Sequence, residues 1–261
     1  MSDSVNARVY CEIKGSVACL FFDHPRARNA MTQAMYEQLR TICLELAQNP
    51  SVRVAILRGI GGKSFVSGSD IAQFQSFQGG ADGVHYERMI DHYLGPLQQL
   101  PMPTIAVIDG LAVGGGLAIA ALCDFRISTP TAKFGVPIAR TLGNTLSPNN
   151  IAWLTAHLGV AIVKRMLLLA ELVSAQELLA HGFVYQTGES DDLDRMSMDL
   201  AKHLAALAPI TQKASKLIMA RVIGHALPNC DDLITEVYGS EDFKEGVTTF
   251  LSGRPPNWQG K

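Results

Sequence analysis

The chain has 261 residues, of which 48% are apolar and 18% are charged, and its 22 Lys and Arg against 24 Asp and Glu give a formal net charge of −2. This composition excludes a disordered chain, and the length suits one large domain or one domain with an appendage. A nearly neutral chain offers no broad positive field for nucleic acid or an anionic membrane surface. We therefore expect a small-molecule partner, no nucleic acid and no membrane.

The cysteines and the N-terminus indicate a cytoplasmic protein. The five cysteines are odd in number, widely separated and without a C-x-x-C pair, which favours reduced thiols. Residues 1–10, MSDSVNARVY, lack the apolar run of a secretory signal and the Arg- and Ser-rich pattern of a transit peptide. The most apolar stretch, Thr104–Cys123, contains Asp109 and a glycine break, so we expect a buried strand and helix there and no membrane span.

Strand and helix patterns alternate through the first half of the chain. The predicted elements are a hairpin over Arg8–Phe22, a helix from Thr32 to Asn49, a strand over Val52–Leu57, a glycine-rich loop over Gly59–Asp70, a helix over Tyr86–Leu100, a strand over Ile105–Ile108, a helix after Gly114 and a strand over Phe125–Ser128. This alternation indicates stacked β-β-α units with parallel sheet character.

Helical periodicity dominates after Ser147. We predict a helix opened by the capping-box pattern Ser174–Glu177 and closed by Gly182, a short strand at Phe183–Tyr185, and helices at 191–207 and 209–221. The chain is therefore divided into an α/β core over residues 1–188 and a C-terminal helical region over residues 189–261.

Two glycine-rich segments directly follow predicted strands, Ser64–Ile71 (SFVSGSDI) and Ile108–Leu117 (IDGLAVGGGL). Glycine lets a ligand approach backbone N–H groups closely, and the second segment opens a helix whose N-terminus favours negative charge. If the two segments face each other, their amides form an oxyanion hole for a carbonyl oxygen that becomes negative during reaction. The alternative is that the glycines only allow tight packing of a helix on the sheet, and composition does not separate the two.

Seven motifs in a fixed order carry a family resemblance. They are His24–Ala30 (HPRARNA), Val52–Gly59 (VRVAILRG), Phe65–Ile71 (FVSGSDI), Asp109–Gly116 (DGLAVGGG), Cys123–Asp124, Phe134–Pro137 (FGVP) and Ser240–Gly246 (SEDFKEG). Together they resemble the crotonase (enoyl-CoA hydratase/isomerase) superfamily over nearly the whole chain. The resemblance implies an α/β fold, the crotonase (ClpP/crotonase-like) spiral of β-β-α units with a C-terminal helical trimerisation region. It also implies a homotrimer or a hexamer built as a dimer of trimers, and acyl-CoA thioesters as ligands.

The resemblance also assigns roles to individual positions. The oxyanion hole would be the backbone N–H groups of Ser69 and Gly115, which leaves the Ser69 side chain incidental. The positions that would line the coenzyme A groove are Arg26, Arg28, Ser67, Gly68, Asp70 and Ile71. Arg254 resembles the second member of a basic pair near the C-terminus, and Gly253 replaces the first member, which puts one phosphate contact in doubt.

Two departures from the family pattern bear on the reaction. Hydratases of the family hold water with two glutamates, and Ala118 and Ile138 occupy those positions here. A general acid and a general base are each worth about 10² to 10⁴ in rate, so ordinary hydration is not expected. Isomerases of the family that use a single carboxylate place it elsewhere, so isomerisation is weakened without being excluded.

The segment 139–150 is more polar than is usual for the family. Arg140 could hold a substrate carboxylate by a two-pronged contact, and Asn144 or Thr141 could orient a water or a carbonyl group. The alternative for Arg140 is a contact with a neighbouring subunit or a helix cap. For Ser147, the start of a helix at Ser-Pro is the favoured interpretation.

These observations predict an acyl-CoA enzyme that stabilises a thioester enolate, with no metal and no tightly bound cofactor, since coenzyme A is part of the substrate. Decarboxylation, C–C cleavage, isomerisation and thioester hydrolysis stay open as alternatives to hydration, because the fold alone does not select among them. A different class, a non-catalytic CoA-binding subunit, is consistent with Ala118 and Ile138, but the glycine-rich strand exits argue against it.

Overall fold

The structure, a computed structural model, describes residues 7–261. The prediction that the chain has no leader sequence falls largely on residues 1–6, which lie outside the described residues. The strands are β1 Arg8–Lys14, β2 Val17–Asp23, β3 Val54–Gly59, β4 Ser64–Val66, β5 Thr104–Ile108, β6 Leu111–Val113, β7 Phe125–Ser128, β8 Lys133–Gly135, β9 Val173–Ser174 and β10 Gln186–Thr187. The helices are α1 Gln33–Ala47, α2 Gly80–Gln98, α3 Gly115–Leu122, α4 Ile138–Thr141, α5 Pro148–Leu168, α6 Ala175–His181, α7 Leu193–Ala205, α8 Pro209–Ile223, α9 Asp231–Gly239 and α10 Glu241–Ser252.

The strands form two sheets. The larger has the order β1-β2-β3-β5-β7-β10, and the smaller has the order β4-β6-β8-β9. The predicted hairpin is confirmed, since β1 and β2 pair antiparallel around Gly15, which adopts φ +61°. From β2 to β10 every neighbouring pair in the larger sheet is parallel.

From β3 to β8, successive strands alternate between the two sheets. β3, β5 and β7 lie side by side in the larger sheet, while β4, β6 and β8 lie side by side in the smaller one. Each pair of strands is followed by helix, α2 after β4, α3 after β6, and α4 with α5 after β8. This arrangement is the predicted spiral of β-β-α units, and it places the ends of β4, β6 and β8 at one edge of the smaller sheet.

Apolar side chains are buried on both faces of the larger sheet. The main core lies between the sheets and helices α1 to α3, and it includes the fully buried Tyr36 and Phe65. On the opposite face, Leu193 and Leu204 of α7 pack with Val54 and Ile105 of the sheet. Residues 189–261 are helical, as predicted, but α7 shares a core with the sheet, and the division at 188 stays a prediction.

Three predicted elements differ in the structure, and the first is the loop predicted over Gly59–Asp70, in which Ser64–Val66 form strand β4. Helix α2 begins at Gly80 and not at Tyr86, and Asp82 caps its start by accepting from the backbone N–H groups of Gln78 and Gly79. The strand predicted at Phe183–Tyr185 begins at Gln186. Phe183 is drawn into the core instead, at 2% exposure. The predicted strand is therefore replaced at Phe183 by a core contact.

Helix α5 has the length and mean hydropathy of a membrane span, and 28% of its most apolar window is buried. Gly159 interrupts the helix with φ +69° and ψ 155°, which leaves a shorter helix on either side. A spanning helix needs about 20 consecutive residues, and neither half reaches that length. The stretch Thr104–Cys123 is buried strand and helix, as predicted.

Candidate active site

A cavity of about 550 Å³ lies at the edge of the smaller sheet where β4 and β6 end. Nine of the predicted site residues line it: Arg26, Arg28, Ser67, Gly68, Ser69, Asp70, Ile71, Gly115 and Asn144. The two that do not are Arg140 and Arg254. The glycine-rich strand exits therefore meet at one cavity, although 46 positions separate Ser69 from Gly115 in the chain.

The two strand exits approach each other through glycine. Gly68 adopts φ +117° and Gly114 φ +55°, and a Cβ atom on Gly114 would lie 3.6 Å from the Cα of Gly68. Each of these glycines directly precedes one of the predicted oxyanion donors. Among the hydrogen bonds of residues 7–261, the backbone N–H groups of Ser69 and Gly115 have no protein acceptor. Two unpaired amides thus lie beside the cavity, and Gly115 also begins helix α3.

The Ser69 side chain has a structural role that the sequence did not indicate. Its Oγ lies 2.9 Å from the hydroxyl of Tyr36 and 2.7 Å from the hydroxyl of Tyr86. Burial raises the pKa of Tyr36 to about 12 and the pKa of Tyr86 well above its ordinary value, so both hydroxyl groups stay protonated at neutral pH. A Cβ atom on Gly115 would lie 2.4 Å from the Tyr36 hydroxyl oxygen, so Tyr36 lies against both strand exits.

Asn29 holds the loop that carries Arg26 and Arg28 at the mouth of the cavity. The buried Asn29 side chain accepts from the backbone N–H of His24 at 2.9 Å. It donates to the carbonyl oxygens of Ile60 and Ser64, both at 2.9 Å. Both arginines are exposed residues that line the cavity. This arrangement suits an anionic ligand that enters past them.

Arg140 and Arg254 lie apart from the cavity lining. Arg140 is exposed in the last turn of the short helix α4. A basic side chain at that end interacts favourably with the helix dipole. Arg254 is exposed beyond α10, and its Nε donates to the Oγ of Ser252 at 3.2 Å. A catalytic role for Arg140 and a coenzyme A contact for Arg254 both stay predictions.

Ala118 and Ile138, the two positions that the family resemblance assigns to the hydratase glutamates, line the same cavity and give its wall an apolar character there. Asn144 also lines it, and its Nδ2 donates to the hydroxyl of Tyr238 at 3.2 Å. The Oδ1 atom of Asn144 is buried without a hydrogen-bond partner among the described residues. A buried acceptor of this kind is available to a ligand donor.

Glu87 is a cavity residue that the sequence reasoning missed. It lies on α2, is 3% exposed and lines the cavity. Its Oε1 accepts from the hydroxyl of Tyr238 at 2.6 Å, and its Oε2 accepts from the backbone N–H of Ser147 at 2.7 Å. Burial raises the pKa of the Glu87 carboxyl to about 7, while these two hydrogen bonds oppose the rise. A carboxyl that titrates near neutral pH can both take and give a proton.

A signal for Glu87 exists in the sequence. Gly83, Glu87, Ile90 and Leu94 recur at spacings of three and four, so Glu87 falls on the buried face of α2. A glutamate on an otherwise apolar helix face is costly to bury unless it has a partner or a function.

Within the described residues, no group of three or more His, Cys, Asp or Glu side chains could hold a metal ion.

The stacked β-β-α units and the cavity at the paired strand exits define a protein of the crotonase-fold class. The chain belongs to the enoyl-CoA hydratase/isomerase family, which residues 12–261 match. Its curated relatives include the short-chain-enoyl-CoA hydratase of Clostridium acetobutylicum, which is 30% identical over 250 residues, 94% of this chain and 95% of the relative.

Other relatives differ in their reaction. The methylmalonyl-CoA decarboxylase of Escherichia coli is 30% identical over 253 residues, 94% of this chain and 95% of the relative. A solved structure of methylmalonyl-CoA decarboxylase in complex with 2-nitronate-propionyl-CoA has a TM-score of 0.88 and 27% identity, over 97% of this chain and 98% of that one. Since one relative is a hydratase and another a decarboxylase, family membership does not select the reaction of this chain.

Proposed function

We propose that this protein binds an acyl-CoA thioester in the cavity and stabilises its enolate with the backbone N–H groups of Ser69 and Gly115. The observation that carries the proposal is the close approach of Gly68 and Gly114, which sets two unpaired amides beside one cavity. Aligned donors of this kind act on the charge that develops at a carbonyl oxygen, and each is worth about 3 to 4 kcal/mol in the transition state.

The mouth of the cavity suits the coenzyme A part of such a substrate. Arg26 and Arg28 line it and carry exposed guanidinium groups, which bind phosphate oxygens through paired hydrogen bonds. Asn29 fixes the loop that carries them. The names of the relatives, a short-chain-enoyl-CoA hydratase and a methylmalonyl-CoA decarboxylase, support coenzyme A thioesters as the substrate class.

The reaction is not ordinary hydration by a pair of glutamates. Ala118 and Ile138 face the cavity with apolar side chains, so neither can hold a water molecule or transfer a proton. The acyl end of the cavity therefore relies on other polar groups, among which Glu87 and Asn144 line the wall.

The assembly we propose is a homotrimer or a dimer of trimers that buries the outer face of α8. Ile218, Met219 and Val222 share that face and are 59%, 58% and 71% exposed in the single chain. Exposed apolar side chains grouped on one helix face mark interaction surfaces.

A pair of variants at Gly115 tests the oxyanion proposal. Gly115→Pro removes the N–H group, while Gly115→Ala keeps it and adds the same Cβ atom, which presses on Tyr36 in both variants. Proline is tolerated at the first position of a helix, which Gly115 occupies. We expect Gly115→Pro to lower turnover of an acyl-CoA substrate about 10²-fold relative to Gly115→Ala.

The readouts are exchange of the thioester α-proton for deuterium in D2O and circular dichroism as a check on folding. Equal exchange by the two variants would contradict an oxyanion role for the Gly115 amide. Tight binding of acyl-CoA without exchange or turnover by the unmodified protein would instead indicate a non-catalytic binding subunit.

A further inference from the structure

We propose that the cavity takes an acyl-CoA whose acyl chain carries a hydroxyl group beyond its β-carbon, and that the side-chain carboxamide of Asn150 binds this hydroxyl. The inference rests on the proposed function, because the amides of Ser69 and Gly115 fix the thioester end from which the acyl chain extends. It names a substrate class, which the fold alone does not select.

The first support is an unpaired carboxamide in the cavity wall. Asn150 is 5% exposed and lines the cavity from the first turn of α5. Its backbone N–H donates to the Oγ of Ser147 at 3.2 Å, but among the hydrogen bonds of residues 7–261 none involves its side chain. The Oδ1 and Nδ2 atoms are not enclosed by protein, so they open on the cavity. Since buried polar groups normally have hydrogen-bond partners, this amide points to a ligand.

The second support is the charge of the wall around Asn150. Ser147, which accepts the backbone N–H of Asn150, donates its own backbone N–H to Oε2 of Glu87 at 2.7 Å. Among the described residues, the cationic side chains that line the cavity are the exposed Arg26 and Arg28. An acidic group on the acyl chain would therefore meet the Glu87 carboxyl without a buried cation to offset it, which is unfavourable. This wall thus selects against acidic acyl chains.

The third support is the chemistry of the carboxamide. Its Oδ1 accepts hydrogen bonds and its Nδ2 donates them. Because no described protein group fixes the orientation of the Asn150 amide, the amide can present either atom to a ligand. A hydroxyl group both donates and accepts, so it pairs with either atom, whereas an ammonium group only donates and a ketone only accepts. The hydroxyl is therefore the group that matches this amide in both orientations.

The position of Asn150 places the hydroxyl away from the thioester. Gly115 and Ala118 lie about one turn apart on α3, so the carbons next to the thioester carbonyl meet the apolar side chain of Ala118. Ile138 and Leu142 add further apolar surface to the wall. Asn150 belongs to a different helix, α5, so the acyl chain passes apolar side chains before it reaches the carboxamide.

The test compares thioesters that differ by one terminal hydroxyl group. Calorimetry measures Kd for hexanoyl-CoA against 6-hydroxyhexanoyl-CoA, and for octanoyl-CoA against 8-hydroxyoctanoyl-CoA, so that coenzyme A contributes equally within each pair. We expect the hydroxylated thioester of at least one pair to bind about 5-fold more tightly than its parent. This gain corresponds to the modest net contribution of a hydrogen bond that replaces one to water.

Asn150→Leu removes the carboxamide and keeps a side chain of similar size. The hydroxylated thioester should then bind more weakly than its parent, because a hydroxyl group that is buried without a partner is costly. Asn150→Ala, which removes the same amide without adding a branched side chain, is the second variant if leucine disturbs the start of α5. Circular dichroism and thermal unfolding check the fold of both variants.

Asn149→Leu is the matched control. Asn149 is the neighbouring residue of α5, but its Nδ2 donates to Oδ1 of Asp91 at 3.4 Å, and it does not line the cavity. The same exchange of side chains at this position should leave the ratio of the two Kd values within about twofold of that of the unmodified protein.

The outcomes separate this inference from the proposed function. If the unmodified protein binds the parent thioesters as tightly as the hydroxylated ones, or more tightly, the hydroxyl proposal is overturned, while the binding of acyl-CoA still stands. A preference for the hydroxyl that survives in Asn150→Leu, or that falls equally in Asn149→Leu, would overturn the role of Asn150. If none of the four thioesters binds, both the inference and the proposed function are wrong.

Discussion

The hydroxyl of Tyr238 lies 2.6 Å from Oε1 of Glu87, although 151 positions separate the two residues in the chain. Helix α9 reaches this position because α2 presents glycine to it. A Cβ atom on Gly83 would lie 2.1 Å from the Cγ of Tyr238, so only glycine allows the ring to pack there. The C-terminal helices therefore complete the inner wall of a cavity whose amides come from the first half of the chain.

The pH dependence of turnover should report Glu87. Burial raises the pKa of its carboxyl to about 7, and Asp91 on the same helix adds to the rise. The other titratable groups that face it are Tyr36 of α1, Tyr86 of α2 and Tyr238 of α9, whose pKa values are raised by burial. Because Glu87 can take a proton only in its charged form, kcat/KM for an acyl-CoA substrate whose turnover uses this carboxylate should increase with pH through about 7 and then level off.

Tyr238→Phe should move that pH profile. The Tyr238 hydroxyl bond stabilises the charged carboxylate and so lowers the pKa of Glu87. Without it, the pKa should rise, and the midpoint of the profile should move to higher pH, with the largest loss of rate at and below neutrality. An unchanged midpoint, measured alongside a lower plateau, would indicate that Tyr238 supports the wall only through packing.

Crotonyl-CoA should be hydrated slowly or not at all, because Ala118 and Ile138 offer no acid or base. Efficient enzymes turn over about 10 to 10³ times per second, and a rate in that range at saturating substrate would contradict the expectation. The double variant Ala118→Glu/Ile138→Glu should gain hydration. Its stability should be measured in parallel, since two newly buried carboxylates weaken the fold.

Arg140→Ala should affect substrates with and without a second carboxylate alike, because Arg140 lies outside the cavity lining. The comparison uses butyryl-CoA and a dicarboxylic monothioester of similar length, such as glutaryl-CoA, with binding as the readout. A selective loss of affinity for the dicarboxylic thioester would restore the predicted carboxylate contact and would require Arg140 to reach the cavity in the complex.

Asn29→Ala should destabilise the fold by about 3 kcal/mol, since it leaves the N–H of His24 and the carbonyl oxygens of Ile60 and Ser64 without this partner. Alanine also tolerates the left-handed backbone of Asn29, at φ +58°, less well than asparagine does. Urea denaturation measures the change. Asn49→Ala, which removes only local bonds to Ser51, is the control and should stay within about 0.5 kcal/mol.

The exposed apolar face of α8 predicts that the protein is an oligomer. Light scattering should give a trimer or a hexamer at micromolar concentration. Val222→Lys should shift the oligomer towards monomer, because a charged side chain disrupts the proposed apolar interface. The Val222 side chain is 71% exposed in the single chain, so its replacement should leave the fold of the monomer intact. A monomer in the unmodified protein would contradict the proposed assembly.

Much of the fold was predictable because local signals and tertiary packing agree. The hairpin at Arg8–Phe22, helix α1 with its Thr32 cap, and strands β3 and β5 follow from periodicity and turn residues. The short strands β4 and β6 were not predicted, because both lie within the glycine-rich segments. The start of α2 at Gly80 was missed although a local signal exists, since Asp82 accepts from the backbone N–H groups of Gln78 and Gly79.

The candidate site was predictable to a smaller extent. Gly68 and Gly114 signalled the strand exits because turns of this kind require glycine. The role of the Ser69 side chain could not be inferred, since its partners Tyr36 and Tyr86 lie on two other helices. Glu87 stood on the buried face of α2, but its partner Tyr238 belongs to a helix that no local pattern places near it.

The two parts of this site respond differently to mutation. The amides of Ser69 and Gly115 belong to the backbone, and among the standard residues only proline removes an N–H group. Side-chain groups of the cavity wall, such as the Glu87 carboxylate on α2, are in contrast removed by a single substitution. A variant that loses Glu87 would keep both amides and, with them, the proposed stabilisation of a thioester enolate. Backbone and side-chain groups of the site therefore differ in how easily a substitution removes them.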